Sequence, residues 1–280
     1  MQIGVSAFAW TADFRERHLE LLPRMREHGL MAFEVPMFVP GRLPAAKIRR
    51  AMEANEVACS VCAILPAGIN PIASDAEIRK RSAAHLATCI EVAAELGAKL
   101  IGGPVYAPIG YLPGRRRTGE EWEWAIECFR SLAENLDACE ITLSIEPVNR
   151  SESHFLNTAR DAKALCEAIG NSRVGVTIDT FHANIEEKNV AEAIRSLGDR
   201  LQHIHASEND RGLLGSGHVD FPGIVAALHG VEYGGCVMIE GFGYSADEPD
   251  APGAQWAEPS VSPEDIAFQG ATYLAGLLAV

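Results

Sequence analysis

Short runs rich in apolar and β-branched residues alternate along the chain with longer stretches whose apolar residues recur every three or four positions. The runs are IGVSAF (3–8), MAFEVPM (31–37), VACSVCAIL (57–65), KLIGGPV (99–105), ITLSIEPV (141–148), VGVTIDT (174–180), LQHIHAS (201–207) and GGCVMIEGF (234–242). The intervening periods predict helices after Asp13 (with Leu19, Leu22 and Met25 on one stripe), over 44–54, over 75–96, over 118–138, after Thr158, over 186–197, after Phe221 and over 263–278. Gly97 closes the third as a C-terminal cap, and a T-x-x-E sequence at Thr118 opens the fourth as a capping box. Strand and helix alternate throughout and nothing is left over. The expectation is an α/β protein: a single (β/α)8 barrel, the TIM-barrel arrangement, over residues 1–280. A doubly wound open sheet also alternates strand and helix. It fits less well, because no G-x-G-x-x-G follows the first strand and the chemically able residues are spread over several strand ends.

Four consecutive apolar runs turn polar only at their C-terminal ends, where a barrel places its chemistry. Glu146 ends the fifth, Asp179 the sixth with His182 beyond it, His205 the seventh with Glu208 and Arg211 beyond it, and Glu240 the eighth. One carboxylate at a strand end is usually a cap or an ion-pair partner, and one histidine is usually a packed residue. One such residue on each of four neighbouring strands points instead to a shared divalent ion. Three carboxylates and an imidazole at Glu146, Asp179, His205 and Glu240 suit Mn²⁺ first, with Co²⁺ or Mg²⁺ as alternatives, over structural zinc. A substrate with a carbonyl beside a hydroxyl could fill the open positions. The ion would then polarise the carbonyl and stabilise an enediolate. His203 shares a strand face with His205 but lies a layer deeper, and is read as a packed, hydrogen-bonded residue.

Composition narrows the partners. The 48% apolar and 22% charged fractions are those of an ordinary globular protein, and no apolar run is long enough to span a bilayer. The start MQIGVSAFAW lacks a signal peptide's basic flank, so a cytoplasmic location and no membrane partner are expected. A formal net charge of −14 argues against a nucleic-acid partner; Arg115, Arg116 and Arg117 form the one basic cluster, read as a solvated turn. The seven cysteines do not suggest disulfides, and Cys59 and Cys62, three apart on a strand, are read as small core residues. Trp10 and Glu34 at the first two strand ends, and Tyr106 and Tyr111 after the fourth, could line a pocket. Gly215 and Gly217 are a weak phosphate-loop signal that turn geometry explains equally well, and GLLGSGH lacks a lysine, which favours an unphosphorylated substrate. The segment 243–260 is long enough to fold over the barrel mouth.

The runs SIEPVNRSE, TIDTFHANIEE, HIHASENDRGLLGSGHVDF and MIEGFGY closely resemble the D-tagatose 3-epimerase and D-allulose (psicose) 3-epimerase group of the xylose-isomerase-like TIM barrels. The resemblance implies an isomerase of carbohydrate metabolism: a metal-dependent epimerase interconverting free ketoses at C3 through a cis-enediolate. By that resemblance Glu146 and Glu240 are both metal ligands and the acid/base pair, and Asp179 and His205 complete the metal shell. Glu152, His182 and Arg211 then bind the substrate oxygens, and a homo-oligomer, dimer or tetramer, is expected. The family commonly has proline where this chain has Gly241, and a Trp-Arg pair where Trp256 is followed by Ala257; residues 64–72 have no recognisable counterpart. Alternatives using the same site are an aldose–ketose or hydroxypyruvate isomerase and an inosose dehydratase. From other classes come a metal-dependent nuclease of the endonuclease IV kind, which would need a basic face, and a non-catalytic sugar-binding protein.

Overall fold

The computed structural model describes residues 1–244, 252–255 and 261–279. Its eight parallel strands close into a barrel in the order β1-β2-β3-β4-β5-β6-β7-β8, each hydrogen-bonded to its sequence neighbours and β8 to β1. They are β1 (Gln2–Ser6), β2 (Ala32–Met37), β3 (Ala58–Ala63), β4 (Leu100–Gly103), β5 (Thr142–Ile145), β6 (Val174–Asp179), β7 (Leu201–Ala206) and β8 (Cys236–Ile239). Strands enclosed by helices are covered on both faces, which is why they read as apolar runs with no polar alternation. Every residue of β2 and of β6 is buried.

The helices are α1 (Leu21–Glu27), α2 (Ala45–Ala54), α3 (Ala76–Glu95), α4 (Gly119–Ser131), α5 (Ala133–Cys139), α6 (Ala159–Ile169), α7 (Thr180–Glu186), α8 (Val190–Leu197), α9 (Phe221–Gly230) and α10 (Pro263–Leu278). Asp75 caps α3, and Thr118 with Glu121 forms the expected capping box on α4. The helix expected over 118–138 is interrupted at Leu132, where Ser131 turns its hydroxyl back onto the Cys128 carbonyl at 2.7 Å, a bond that bends helices. The helix expected over 186–197 is α8, capped by Asn189, and a further helix precedes it: α7, capped by Asp179, whose side chain accepts the Phe181 N–H. The helix after Asp13 starts as a 3-10 turn, Glu16–Glu20.

Two register details place the site. A bulge between Val176 and Thr177 shifts β6 against β7, so that Asp179 sits level with His205. Gly103, at the end of β4, has φ +119°, and a Cβ there would stand 2.4 Å from the Ala63 carbonyl oxygen. Its own carbonyl accepts the Glu146 N–H at 3.1 Å, while the Glu240 N–H donates to Ala206 at 2.9 Å. Glu146 and Glu240 are therefore fixed at the backbone. Most of the segment 243–260, with Trp256 and Ala257, lies outside the described residues.

Candidate metal and substrate site

The C-terminal strand ends bring Glu146, Asp179, His205 and Glu240 together, all buried. Ligand atoms of Glu146, Asp179 and His205 lie within 4.8 Å of one another. His205 Nδ1 is 3.7 Å from Glu146 Oε1 and 3.6 Å from Glu240 Oε2, so the imidazole edge faces both glutamates. That nitrogen is buried and has no hydrogen-bond partner. A nitrogen lone pair aimed at two carboxylates, with nothing to satisfy it, fits a divalent cation with oxygen and imidazole donors. Asp179 divides its oxygens: Oδ1 caps α7 at 2.8 Å from the Phe181 nitrogen, and Oδ2 faces the site.

Arg211 enters from the loop after β7. Its Nη1 donates to Asp179 Oδ2 at 2.6 Å, to Glu240 Oε2 at 2.5 Å and to Ser207 Oγ at 2.9 Å. The guanidinium lies over the rings of Phe181 (4.2 Å) and Phe242 (4.9 Å). Its backbone is left-handed, φ +61°, a conformation unfavourable for a side chain of this size.

The loop that imposes this is wound around Glu208. The Glu208 carboxylate accepts the N–H groups of Asn209, Gly215 and Val219, each at 3.0 Å, and does not join the cluster of ligands at the strand ends. The same bonds occupy the Gly215 N–H that a phosphate-binding loop would have to offer.

His182, one turn into α7, accepts the Asn149 N–H at Nδ1 (3.3 Å), with the Asn149 side-chain nitrogen 2.9 Å away. Nε2 points inward, 3.7 Å from Asp179 Oδ2 and 3.9 Å from Glu146 Oε1, and faces the Arg211 Nη2 donor at 3.2 Å. Glu152 stands at the rim, its Oε1 held by Asn149 at 2.8 Å and 4.0 Å from His182. All seven residues read from the sequence thus stand at one mouth, six buried and Glu152 partly exposed.

Burial and charge set the protonation states. Burial raises the Glu240 carboxyl above the usual range, Asp179 and Glu146 add to it, and His205 and Arg211 only partly offset this. Burial also works to raise Asp179, but Arg211, His182 and His205 overcome it and hold the group low. For His182 burial dominates and pulls the imidazole down, so it is neutral at pH 7.

Beneath this layer lies a second one, which the strand-end pattern does not announce. Glu34 on β2 is fully buried and reaches across the barrel, Oε2 at 2.9 Å from His203 Nε2 and Oε1 at 3.0 Å from His205 Nε2. His203 is the packed, hydrogen-bonded residue expected. Cys62 also points inward, its sulfur within 4.8 Å of ligand atoms of Glu34 and Glu240. Trp10 packs edge-on against Phe33, with its Nε1 3.4 Å from Glu264, and is core. Tyr106 is no pocket wall: fully buried, its hydroxyl donates to the Leu156 carbonyl at 3.1 Å and accepts from Val148 N at 3.4 Å. Tyr111 packs edge-on against His154. The arginine cluster is more than a solvated turn. Arg115 pairs bidentately with buried Glu121 (3.0 and 2.8 Å), and Arg117 reaches the Phe155 carbonyl and Asp161.

A model of the xylose isomerase-like TIM barrel family matches residues 22–268. A probable ketose 3-epimerase of Synechocystis sp. is 29% identical over 98% of this chain and 96% of its own length. An L-ribulose 3-epimerase of Mesorhizobium japonicum is 30% identical over 86% of this chain and 81% of its own. Among solved structures, an L-ribulose 3-epimerase superimposes with a TM-score of 0.90 at 26% identity, covering all of this chain and 95% of that one.

Proposed function

The chain belongs to the xylose isomerase-like TIM barrel family and, within it, to the enzymes of the ketose 3-epimerase group; on that premise we propose that it interconverts free ketoses at C3, using one divalent cation and two glutamates. The observation that carries the reading is the placement of Glu146 and Glu240. They come from β5 and β8, are buried, and flank one unpartnered histidine nitrogen. Glu146, Asp179, His205 and Glu240 would hold the cation, with Mn²⁺ first and Co²⁺ or Mg²⁺ as alternatives. When bound, it supplies positive charge that polarises the ketose carbonyl and offsets the negative charge arising when the neighbouring carbon loses its proton.

The chain's own residues do the rest. One glutamate takes the C3 proton from one face of the sugar, and the other returns a proton to the opposite face, inverting that centre. His182, its Nε2 turned inward beside Arg211, contacts a substrate oxygen. Arg211, packed over the Phe181 and Phe242 rings, presents its guanidinium to the oxygens near the reacting carbon. Glu152 receives hydroxyl donors at the rim. The dry surroundings strengthen each of these contacts. Relatives named for ketoses and L-ribulose support a free keto sugar as substrate. Among the described residues no helix is long and apolar enough to cross a membrane.

The test is to incubate the protein with Mn²⁺ or Co²⁺ and a panel of free ketoses in D₂O. Deuterium at C3 of substrate and product is expected. Label at C1 or C2 only, as aldose–ketose interconversion would give, or a product lighter by one water, would refute the epimerase reading.

A further inference from the structure

We infer that Glu34 is a positioning residue: it fixes the ring orientation and tautomer of His205 so that Nδ1 is the nitrogen offered to the cation. The inference rests on the metal-site reading above and deepens it. Glu34 and His205 lie on opposite walls of the barrel, on β2 and β7, and both are fully buried. Glu34 Oε1 stands 3.0 Å from His205 Nε2, on the far edge of the ring from Nδ1. Nδ1 faces Glu146 and Glu240 instead. One imidazole cannot direct both nitrogens at one ion, so the edge toward Glu34 is the edge that carries the proton.

Glu34 could itself be counted among metal donors, since its oxygens, His203 and His205 lie within 4.8 Å of one another. Three contacts argue for the orienting role. Oε2 is already taken, accepting from His203 at 2.9 Å and from the Ser60 hydroxyl at 3.4 Å. Oε1 has no other partner within hydrogen-bonding geometry, and neither does His205 Nε2. A small rotation of either side chain completes that bond, and the pair then satisfies both atoms at once. A carboxylate behind a ligating histidine fixes the tautomer and raises the basicity of the other nitrogen, and losing such a partner typically costs about 10–100-fold in metal affinity.

His203 has a part in this. By holding Oε2 it leaves Oε1 free to face His205, so the two histidines divide one carboxylate between them. A glutamine at position 34 breaks the arrangement whichever way its amide turns. With nitrogen toward His205, the ring proton moves to Nδ1 and blocks the ligand lone pair. With oxygen toward His205, the tautomer survives but the negative charge that raises its basicity is gone.

The experiment measures Mn²⁺ binding by titration calorimetry, and the Co²⁺ absorption spectrum, for the wild type, Glu34→Gln and His205→Ala. Expected are metal binding in the wild type, loss of that binding in His205→Ala, and weakening by about 10–100-fold in Glu34→Gln with an altered Co²⁺ spectrum. A buried ion pair with no bearing on the ligand would leave the spectrum unchanged. A second measurement needs no variant: histidine ¹⁵N resonances of the wild type loaded with Zn²⁺. These should place the His205 proton on Nε2, slow to exchange with solvent. Unaltered affinity and spectrum in Glu34→Gln, or a proton found on Nδ1, would overturn the inference while leaving the metal site standing. A wild type that binds no divalent cation would instead overturn the reading on which it rests.

Discussion

Glu208→Gln separates a loop staple from a ligand, because the side chain follows a strand end that carries a candidate ligand yet turns away from it. Its carboxylate accepts three backbone N–H groups at 3.0 Å, those of Asn209, Gly215 and Val219. The loop is packed so closely on these atoms that a Cβ at Gly217 would lie 2.5 Å from Glu208 Oε1. Glutamine keeps one oxygen, enough for Asn209 and Val219, and turns an amide NH₂ toward the Gly215 N–H. One bond to a charged acceptor is lost and two donors are opposed, together about 2–3 kcal/mol.

That cost falls on a segment already under strain. Arg211 sits at φ +61°, worth about 1–2 kcal/mol against an ordinary conformation, and is kept there by its N–H to the Glu208 carbonyl and by the Phe242 N–H to its own carbonyl. Loss of the carboxylate leaves the released loop favoured over the seated one by about 1.4 kcal/mol. The population with Arg211 in place should fall about tenfold, and kcat/KM with it by about 10–50-fold. The Gly215 and Val219 amides should exchange faster in the variant, and Mn²⁺ affinity should stay within about twofold of wild type. Loss of metal binding would make Glu208 a ligand. Unchanged kcat/KM and unchanged amide protection would show that the loop does not depend on it.

Glu146→Gln and Glu240→Gln should each lower turnover at least about 100-fold with any ketose the wild type accepts, whereas Arg211→Ala should act chiefly on KM; steady-state kinetics distinguish the two patterns. Glu121 predicts an acid-sensitive tie between the loop after β4 and the start of α4. Burial opposes its ionised form, but Arg115, the Thr118 N–H and His154 hold the carboxyl at about 2, below the ordinary 4.5. A depressed folded-state value means that the stabilisation is complete above about pH 4.5 and is lost as pH falls toward 2. With Arg115 half exposed, about 1–2 kcal/mol is expected. Urea unfolding from pH 6 to pH 3 should therefore destabilise the wild type by that much more than Glu121→Gln, and parallel pH profiles would refute the assignment. Gly103→Ala places a Cβ 2.4 Å from the Ala63 carbonyl oxygen at φ +119°, so a loss of about 3 kcal/mol or more is expected, and an unchanged melting temperature would count against it.

Glu146, Asp179, His205 and Glu240 were legible because strands covered on both faces are almost wholly apolar. A polar residue at the end of such a run stands out, and four in succession share one rim. The helix stops and starts were legible where a cap had no other task, as at Asp75 and Thr118. They failed where one residue served twice. Asp179 is both the cap of α7 and a candidate ligand, and in the sequence the second role hides the first, and α7 with it. The arginines at 115–117 were misjudged for a related reason: charge alone does not reveal that Glu121 and Asp161 on the following helices wait for two of them.

What no pattern along the chain discloses is the floor of the site. Glu34 and His203 are 169 residues apart and face each other only because β8 closes against β1. In an open sheet β2 and β7 would lie far apart, and a glutamate in the apolar run AFEVPM would be a buried charge without a partner, too costly to keep. Closure turns it into the shared acceptor of two imidazoles. The upper layer, drawn from β5 to β8, is thus local in sequence and readable from it. The layer that aims His205 belongs to the barrel as a closed object, and the first half of the chain, which contributes none of the seven residues at the mouth, contributes to the chemistry through it.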